Sequence, residues 1–138
     1  MARIQVVTAI TLDGFLPEMA EELVSWIRND RRGFPHWRER CSAFILPHSI
    51  LDLLCEKDGK DDSFTYLAEI ITPESVELLR GLFLYNIVDE LVVYQLPYST
   101  GQGISVLETF RPQHWELHKT ISFSNGICRL TYRKPCRM

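Results

Sequence analysis

The side chains able to do chemistry are thinly spread along this 138-residue chain. Asp89 and Glu90 are adjacent carboxylates, the residue types of an acid–base pair. They lead into an apolar run ending at Leu96 that reads as a strand. Neighbours on a strand point to opposite faces, so the two cannot share a proton-transfer site, and capping of the strand's start is their expected role. His36, His48, His114 and His118 show no metal-ligand spacing. Cys41, Cys55, Cys128 and Cys136 form no C-x-x-C pair, and Cys55 and Cys128 read as small core residues in apolar surroundings. Ser49, Ser99 and Ser124 lack the Gly-x-Ser-x-Gly context of a hydrolase nucleophile. Two groups of cations remain, Arg28, Arg31, Arg32, Arg38 and Arg40, and then Arg129, Arg133, Lys134 and Arg137. Either could hold a phosphate or carboxylate, or lie solvated in a loop.

Elements must position these groups. Arg3 to Ile10 is a nearly continuous β-branched run, the pattern of a strand covered on both faces. Asp13-Gly14 and Pro17 break it into a loop, in which Asp13 can bond nearby backbone and Gly14 can supply positive φ. Apolar spacing predicts a helix over Glu18 to Ile27, and the polar, Gly/Pro-broken stretch Asn29 to Arg40 predicts a loop. Ser42 to Leu46 is a short candidate strand. Ser49 is placed to cap a helix from Ile50, and Glu56 to Asp62 has the composition of an exposed loop. Phe64 to Ile71 is another strand. Thr72-Pro73-Glu74-Ser75 is a helix start with Thr72 as N-cap, and the helix runs to about Leu84 with Val76, Leu79 and Phe83 on one stripe.

Val88 to Leu96 is a central strand ended by Pro97, and Ser99 to Gly103 is a flexible turn. Trp115 to Phe123 alternates apolar and polar residues, the mark of a half-buried strand. Asn125-Gly126 is a two-residue hairpin turn, which sets Phe123 opposite Cys128, Ile121 opposite Leu130 and Lys119 opposite Tyr132. Trp26, Trp37 and Trp115 are expected to be core or interface aromatics. Helix-crossed strands followed by a hairpin define one α/β domain over residues 1–138, a mostly parallel sheet flanked by helices with a C-terminal antiparallel hairpin.

Bulk numbers bound the function. Net charge is −3, against general nucleic-acid binding. No apolar run reaches the roughly 18 residues of a membrane span, and no signal-peptide pattern opens the chain, so a cytoplasmic protein with reduced thiols is expected.

Three stretches resemble the reductase domain of riboflavin biosynthesis, a family with the dihydrofolate reductase fold: Ala9-Ile10-Thr11-Leu12-Asp13-Gly14-Phe15-Leu16, Val88-Asp89-Glu90-Leu91 running to Pro97 and Gly101-Gln102-Gly103, and the Ser124-Asn125-Gly126 hairpin with Leu130 and Tyr132. The resemblance implies NADPH as cofactor and a substrate contact at Asp13 and Gly14. It also implies close approach of Gly101 and Gly103 to the ligand, and homodimerisation. Departures accompany it. The family's Gly-Gly pair at a helix start, which receives the dinucleotide phosphates, falls on Glu74 and Ser75 here. Its Gly-Arg-x-Thr motif falls near Pro47-His48-Ser49-Ile50, leaving His48 as the residue to watch. The stretch between Cys55 and Phe64 is shorter than in the family.

Glu74 places a carboxylate where a phosphate would sit and itself satisfies the helix end. Two functions are therefore expected from the resemblance. One is a divergent member with lost or altered NADPH binding, acting as a ligand-binding or homodimeric module. The other is an active NADPH-dependent reductase of a pyrimidine- or pterin-like substrate. Leu82, Phe83, Leu84 and Tyr85 crowd one helix end and suit an extra contact surface.

Overall fold

The structure is a computed structural model and describes residues 1–46 and 50–135. Six strands form one sheet: β1 (Arg3–Ile10), β2 (Ala43–Phe44), β3 (Thr65–Ile70), β4 (Glu90–Gln95), β5 (Glu116–Ser122) and β6 (Cys128–Arg133). Their order is β2-β3-β1-β4-β6-β5. The first four are parallel, and β6 and β5 add antiparallel at one edge. The expected sheet is therefore present.

Among the described residues four helices cover it: α1 (Glu22–Asn29), α2 (Phe34–Arg38), α3 (Ile50–Glu56) and α4 (Pro73–Leu84). Strand alternation splits the core in two. Ile4, Val6, Tyr66, Ala68, Leu91 and Val93 pack with α4 and Leu53 of α3. Val7, Ala9, Leu67, Val92 and Tyr94 pack with Val24, Ile27, Phe34 and Trp37 of α1 and α2.

Buried carboxylate chemistry ties the N-terminal ends of the central strands. Glu90 is 3% exposed and accepts from Arg3 (2.8 Å), Gln5 (2.5 Å) and Arg133 (2.8 Å), linking β1, β4 and β6. Asp89 faces away from it and accepts the Ile4 amide at 2.8 Å, as expected of a carboxylate capping a strand start.

Several expectations need correction. The Asn29 to Arg40 stretch contains α2, because Phe34 and Trp37 sit three apart on one buried face and Pro35 falls in the first turn, where its missing N–H is harmless. The hairpin register is shifted by one: Ser122 faces Cys128, Ile121 faces Arg129 and Thr120 faces Leu130. The loop holds three residues, Ser124 to Gly126, with Phe123 bonded to Ile127 (2.9 Å) and Gly126 at φ +93°. That is a turn closed by a left-handed glycine rather than a two-residue turn. An irregularity between Leu117 and Lys119 then moves the register again.

β5 is an open edge, not a half-buried strand, and Leu117 is 55% exposed. Cys55 is exposed and Cys128 half-buried, so neither is a full core residue. The Glu56 to Asp62 stretch includes a short 3-10 turn at Lys57–Gly59. At the end of α4, Leu82 and Phe83 are buried while Leu84 and Tyr85 are exposed. His48 and the Ser49 cap lie outside the described residues.

Candidate functional site

β1 and β3 are neighbours in the sheet, yet β1 leads to α1 on one face and β3 leads to α4 on the other. Adjacent strands departing to opposite faces open a crevice at their carboxyl ends, where parallel sheets place ligands. Two loops meet beside that crevice, residues 11–17 after β1 and residues 97–107 after β4.

Asp13 joins them. Its carboxylate accepts the Gly101 amide at 2.7 Å, the Thr100 amide at 3.3 Å and the Thr11 hydroxyl at 2.5 Å. The Thr11 hydroxyl first, and then the Gly101 and Thr100 amides, hold this carboxyl below the ordinary aspartate range. Backbone bonds complete the seam: Leu12 to Tyr98 (2.8 Å), Leu16 to Ile104 (2.9 Å) and Val106 to the Gly14 carbonyl (2.9 Å). Gly14 has φ +85°, and a Cβ there would stand 2.3 Å from Leu107 Cδ1. Gly101 (φ +70°) and Gly103 (φ +115°) are exposed, with open space where their Cβ atoms would be. The structure thus brings Asp13, Gly14 and Gly101 into one clasp, with Gly103 at its rim.

Below the clasp is an apolar pocket of about 230 Å³ lined by Ile10, Gln95, Leu107, Phe110, Trp115 and Tyr132, among others. Gln95 and Tyr132 bring the polar atoms able to orient a ligand, within the pattern of an apolar site with few polar groups. Sequence reasoning missed this pocket. Its signal was that Phe110 and Trp115 bracket an unassigned segment before β5.

Ser75 lies apart, at the start of α4. Its N–H donates to Thr72 Oγ1 (3.2 Å), its hydroxyl accepts from the Ile71 and Thr72 amides (both 2.9 Å), and it donates to the Thr72 carbonyl (2.8 Å). This is a closed capping box. Thr72 and Ser75 therefore close the helix end, in place of the Glu74 carboxylate expected to do so. Pro73 has no N–H and Val76 N–H already bonds the Thr72 carbonyl at 3.1 Å, which leaves only the Glu74 amide of the first turn to account for. Glu74 is exposed at that same turn. A dinucleotide phosphate needs free amides and no neighbouring anion. The residues present at α4 do not fit one.

The arginine-rich stretch packs on the α1/α2 face. The Tyr94 hydroxyl donates to the Arg32 carbonyl (2.7 Å) and accepts from Trp37 Nε1 (3.0 Å), and burial pushes that phenol above its ordinary range. Arg32 pairs with Asp30, whose carboxyl is drawn down to about 2, chiefly by the Arg32 side chain. Arg38 pairs with Glu69 of β3.

A mixed sheet of this order, two layers of helices and a clasp at the carboxyl ends of β1 and β4 define a dihydrofolate-reductase-like α/β fold. Solved structures agree. A riboflavin biosynthesis protein from Shewanella sp. PV-4 superposes with a TM-score of 0.59 at 15% identity, over 97% of this chain and 99% of that one. A diaminohydroxyphosphoribosylaminopyrimidine deaminase/5-amino-6-(5-phosphoribosylamino)uracil reductase from Thermotoga maritima gives 0.59 at 15% identity, over 97% of this chain and 56% of that one. A pyrimidine reductase-like protein from Corynebacterium diphtheriae gives 0.59 at 10% identity, over 98% and 92%. No protein-family model matches the sequence, and no curated protein is recognisably similar to it. What this chain shares with those proteins is the fold. No helix among the described residues is long and apolar enough to cross a membrane.

Proposed function

We propose that this chain is a small-ligand-binding module on the riboflavin-reductase fold in which the dinucleotide-phosphate site is closed, not a working NADPH-dependent reductase. The observation that carries the reading is the Thr72–Ser75 capping box: it takes the Ser75 amide and, with Pro73 lacking an N–H, leaves a phosphate only the Glu74 amide, beside the exposed Glu74 carboxylate. The ligand class follows from the pocket: a flat, largely apolar heterocycle against Phe110 and Trp115, oriented by the Gln95 amide and the Tyr132 hydroxyl. Self-association is a companion proposal, supported by the open edge of β5 with Leu117 exposed.

An active reductase of a pyrimidine- or pterin-like substrate is the second reading. The Asp13–Gly101 clasp beside an apolar pocket favours it, since the protein's part in hydride transfer is to hold donor and acceptor in line. Calorimetric titration of the purified protein with NADPH at low salt separates the two. The first reading expects no saturable heat up to millimolar ligand. A dissociation constant of roughly tens of micromolar or tighter overturns it and calls for a substrate screen.

A further inference from the structure

Arginine is almost never fully buried unless paired, because it cannot shed its charge and desolvating that charge is expensive. Arg129 departs from this. It is 6% exposed, and no carboxylate pairs with it among the described residues. Its guanidinium lies 5.3 Å from the Trp37 ring centroid and 5.9 Å from that of Phe123, and its Nε is buried without a partner. Ring faces offer partial negative charge, not a counter-ion.

Further cations converge on the same place. Arg129 stands between Tyr94 of β4 and Ile121 of β5, on the face covered by α1 and α2. Lys119, two residues from Ile121 on β5, shares that face. From α2 comes His36, its ring edge-on to Trp37 at 4.8 Å, and Arg40 donates to the His36 carbonyl at 2.6 Å. Burial first, and then Arg40, Arg129 and Lys119, hold the His36 imidazole below its ordinary range, with Glu39 the acid opposing them. This is a concentration of positive charge in a chain of net −3.

We propose that Arg129, His36, Lys119 and Arg40 bind a dianionic oxyanion, the phosphate group of a small phosphate monoester, on the sheet face opposite the apolar pocket. A dianion suits the count of cations better than a single carboxylate. Arg129 supplies a flat, pre-set donor fork from beneath, while Lys119 and Arg40 close over the anion from solvent on flexible stems. His36 becomes a further donor once an anion favours its protonation. The site is independent of the reading of α4.

Inorganic phosphate is the probe, with the His36 ring followed by NMR against pH at constant ionic strength in chloride, and His36→Gln used to assign it. Saturating phosphate is expected to raise the His36 midpoint by roughly one pH unit. The Arg40→Ala/Lys119→Ala pair, both exposed, is expected to weaken phosphate binding about tenfold or more. Arg129→Met keeps the length of the side chain and removes the charge. It is expected to abolish the response while leaving the ligand-free protein as stable or more so, since an uncompensated buried charge is lost. A His36 midpoint that phosphate and chloride leave identical overturns the proposal, and so does a full response in Arg129→Met. An equal response to acetate at matched concentration overturns the dianion. Should Arg129→Met fail to fold, the exposed double variant carries the same decision.

Discussion

Replacing Glu74 and Ser75 together by glycine tests whether the closed start of α4 is what separates this chain from cofactor binding. The structure sets the cost. Removing the Ser75 hydroxyl abolishes half of a reciprocal cap, about 1 kcal/mol. It also strips the acceptor from the buried Ile71 amide, about 1–2 kcal/mol. Two glycines in a first turn add a fraction of ~1 kcal/mol each. The total of about 3–4 kcal/mol lies below the 5–15 kcal/mol of an ordinary domain, so the variant folds with a Tm lower by roughly 10–15 °C. Differential scanning calorimetry reads that loss, and titration of the same sample with NADPH reads the reopened amides. Saturable binding in the variant and none in the parent is the expected pair of results. A destabilisation under about 1 kcal/mol refutes the hydroxyl network's worth. A folded variant that stays silent to NADPH refutes the claim that the cap bars the phosphate.

Glu90→Gln should cost about 2–3 kcal/mol by urea denaturation, less than a fully buried pair because Arg3 and Arg133 are each 45% exposed and can rehydrate; a loss below about 0.5 kcal/mol would remove the tie between β1, β4 and β6 from the argument. Asp13→Ala should speed amide exchange at Gly101 and Thr100 with little change in global unfolding, and unchanged exchange at Gly101 would mean the carboxylate does not hold that loop. Gly14→Ala should cost about 1–3 kcal/mol through positive φ and collision with Leu107, part of it recovered in a Gly14→Ala/Leu107→Ala double variant; strict additivity would show the contact to be idle.

Legibility in the sequence tracked how local each determinant is. β1 and the α4 start were legible because a β-branched run and a Thr-Pro opening specify themselves within a few residues. α2 was not, since Gly33 and Pro35 are loop signals and only the shared burial of Phe34 and Trp37 makes the segment helical. The hairpin turned on one glycine: Gly126 in the left-handed region closes a three-residue loop, and that single extra residue moves the pairs of Ser122 to Lys119 by one. Of the site, the turn at Asp13 and the positive φ of Gly14 are legible, but the Asp13 carboxylate bonds distant amides rather than the neighbouring backbone expected. The partner of that turn, Gly101, lies 88 residues away, and no local pattern announces such a bond. The pocket at Gln95 and Tyr132 and the cluster at Arg129 were invisible for the same reason.

Arg129 carries a further argument about the sheet. Alternation along β6 assigns Cys128, Leu130 and Tyr132 to the core and Arg129 to water, which holds only if one face of the hairpin is open. Here Trp37 and Phe123 cover the second face, so a residue placed for solvent is buried with its charge. The chain therefore disposes of anions unlike a phosphate-binding α/β fold. At the start of α4 the Ser75 and Val76 amides are satisfied internally and an exposed carboxylate stands at Glu74, while uncompensated positive charge lies across the sheet. If a phosphate-bearing ligand binds, it binds between α2 and β6. The Glu74→Gly/Ser75→Gly variant should then leave the His36 response to inorganic phosphate unchanged. Loss of that response would couple the two faces and contradict their independence.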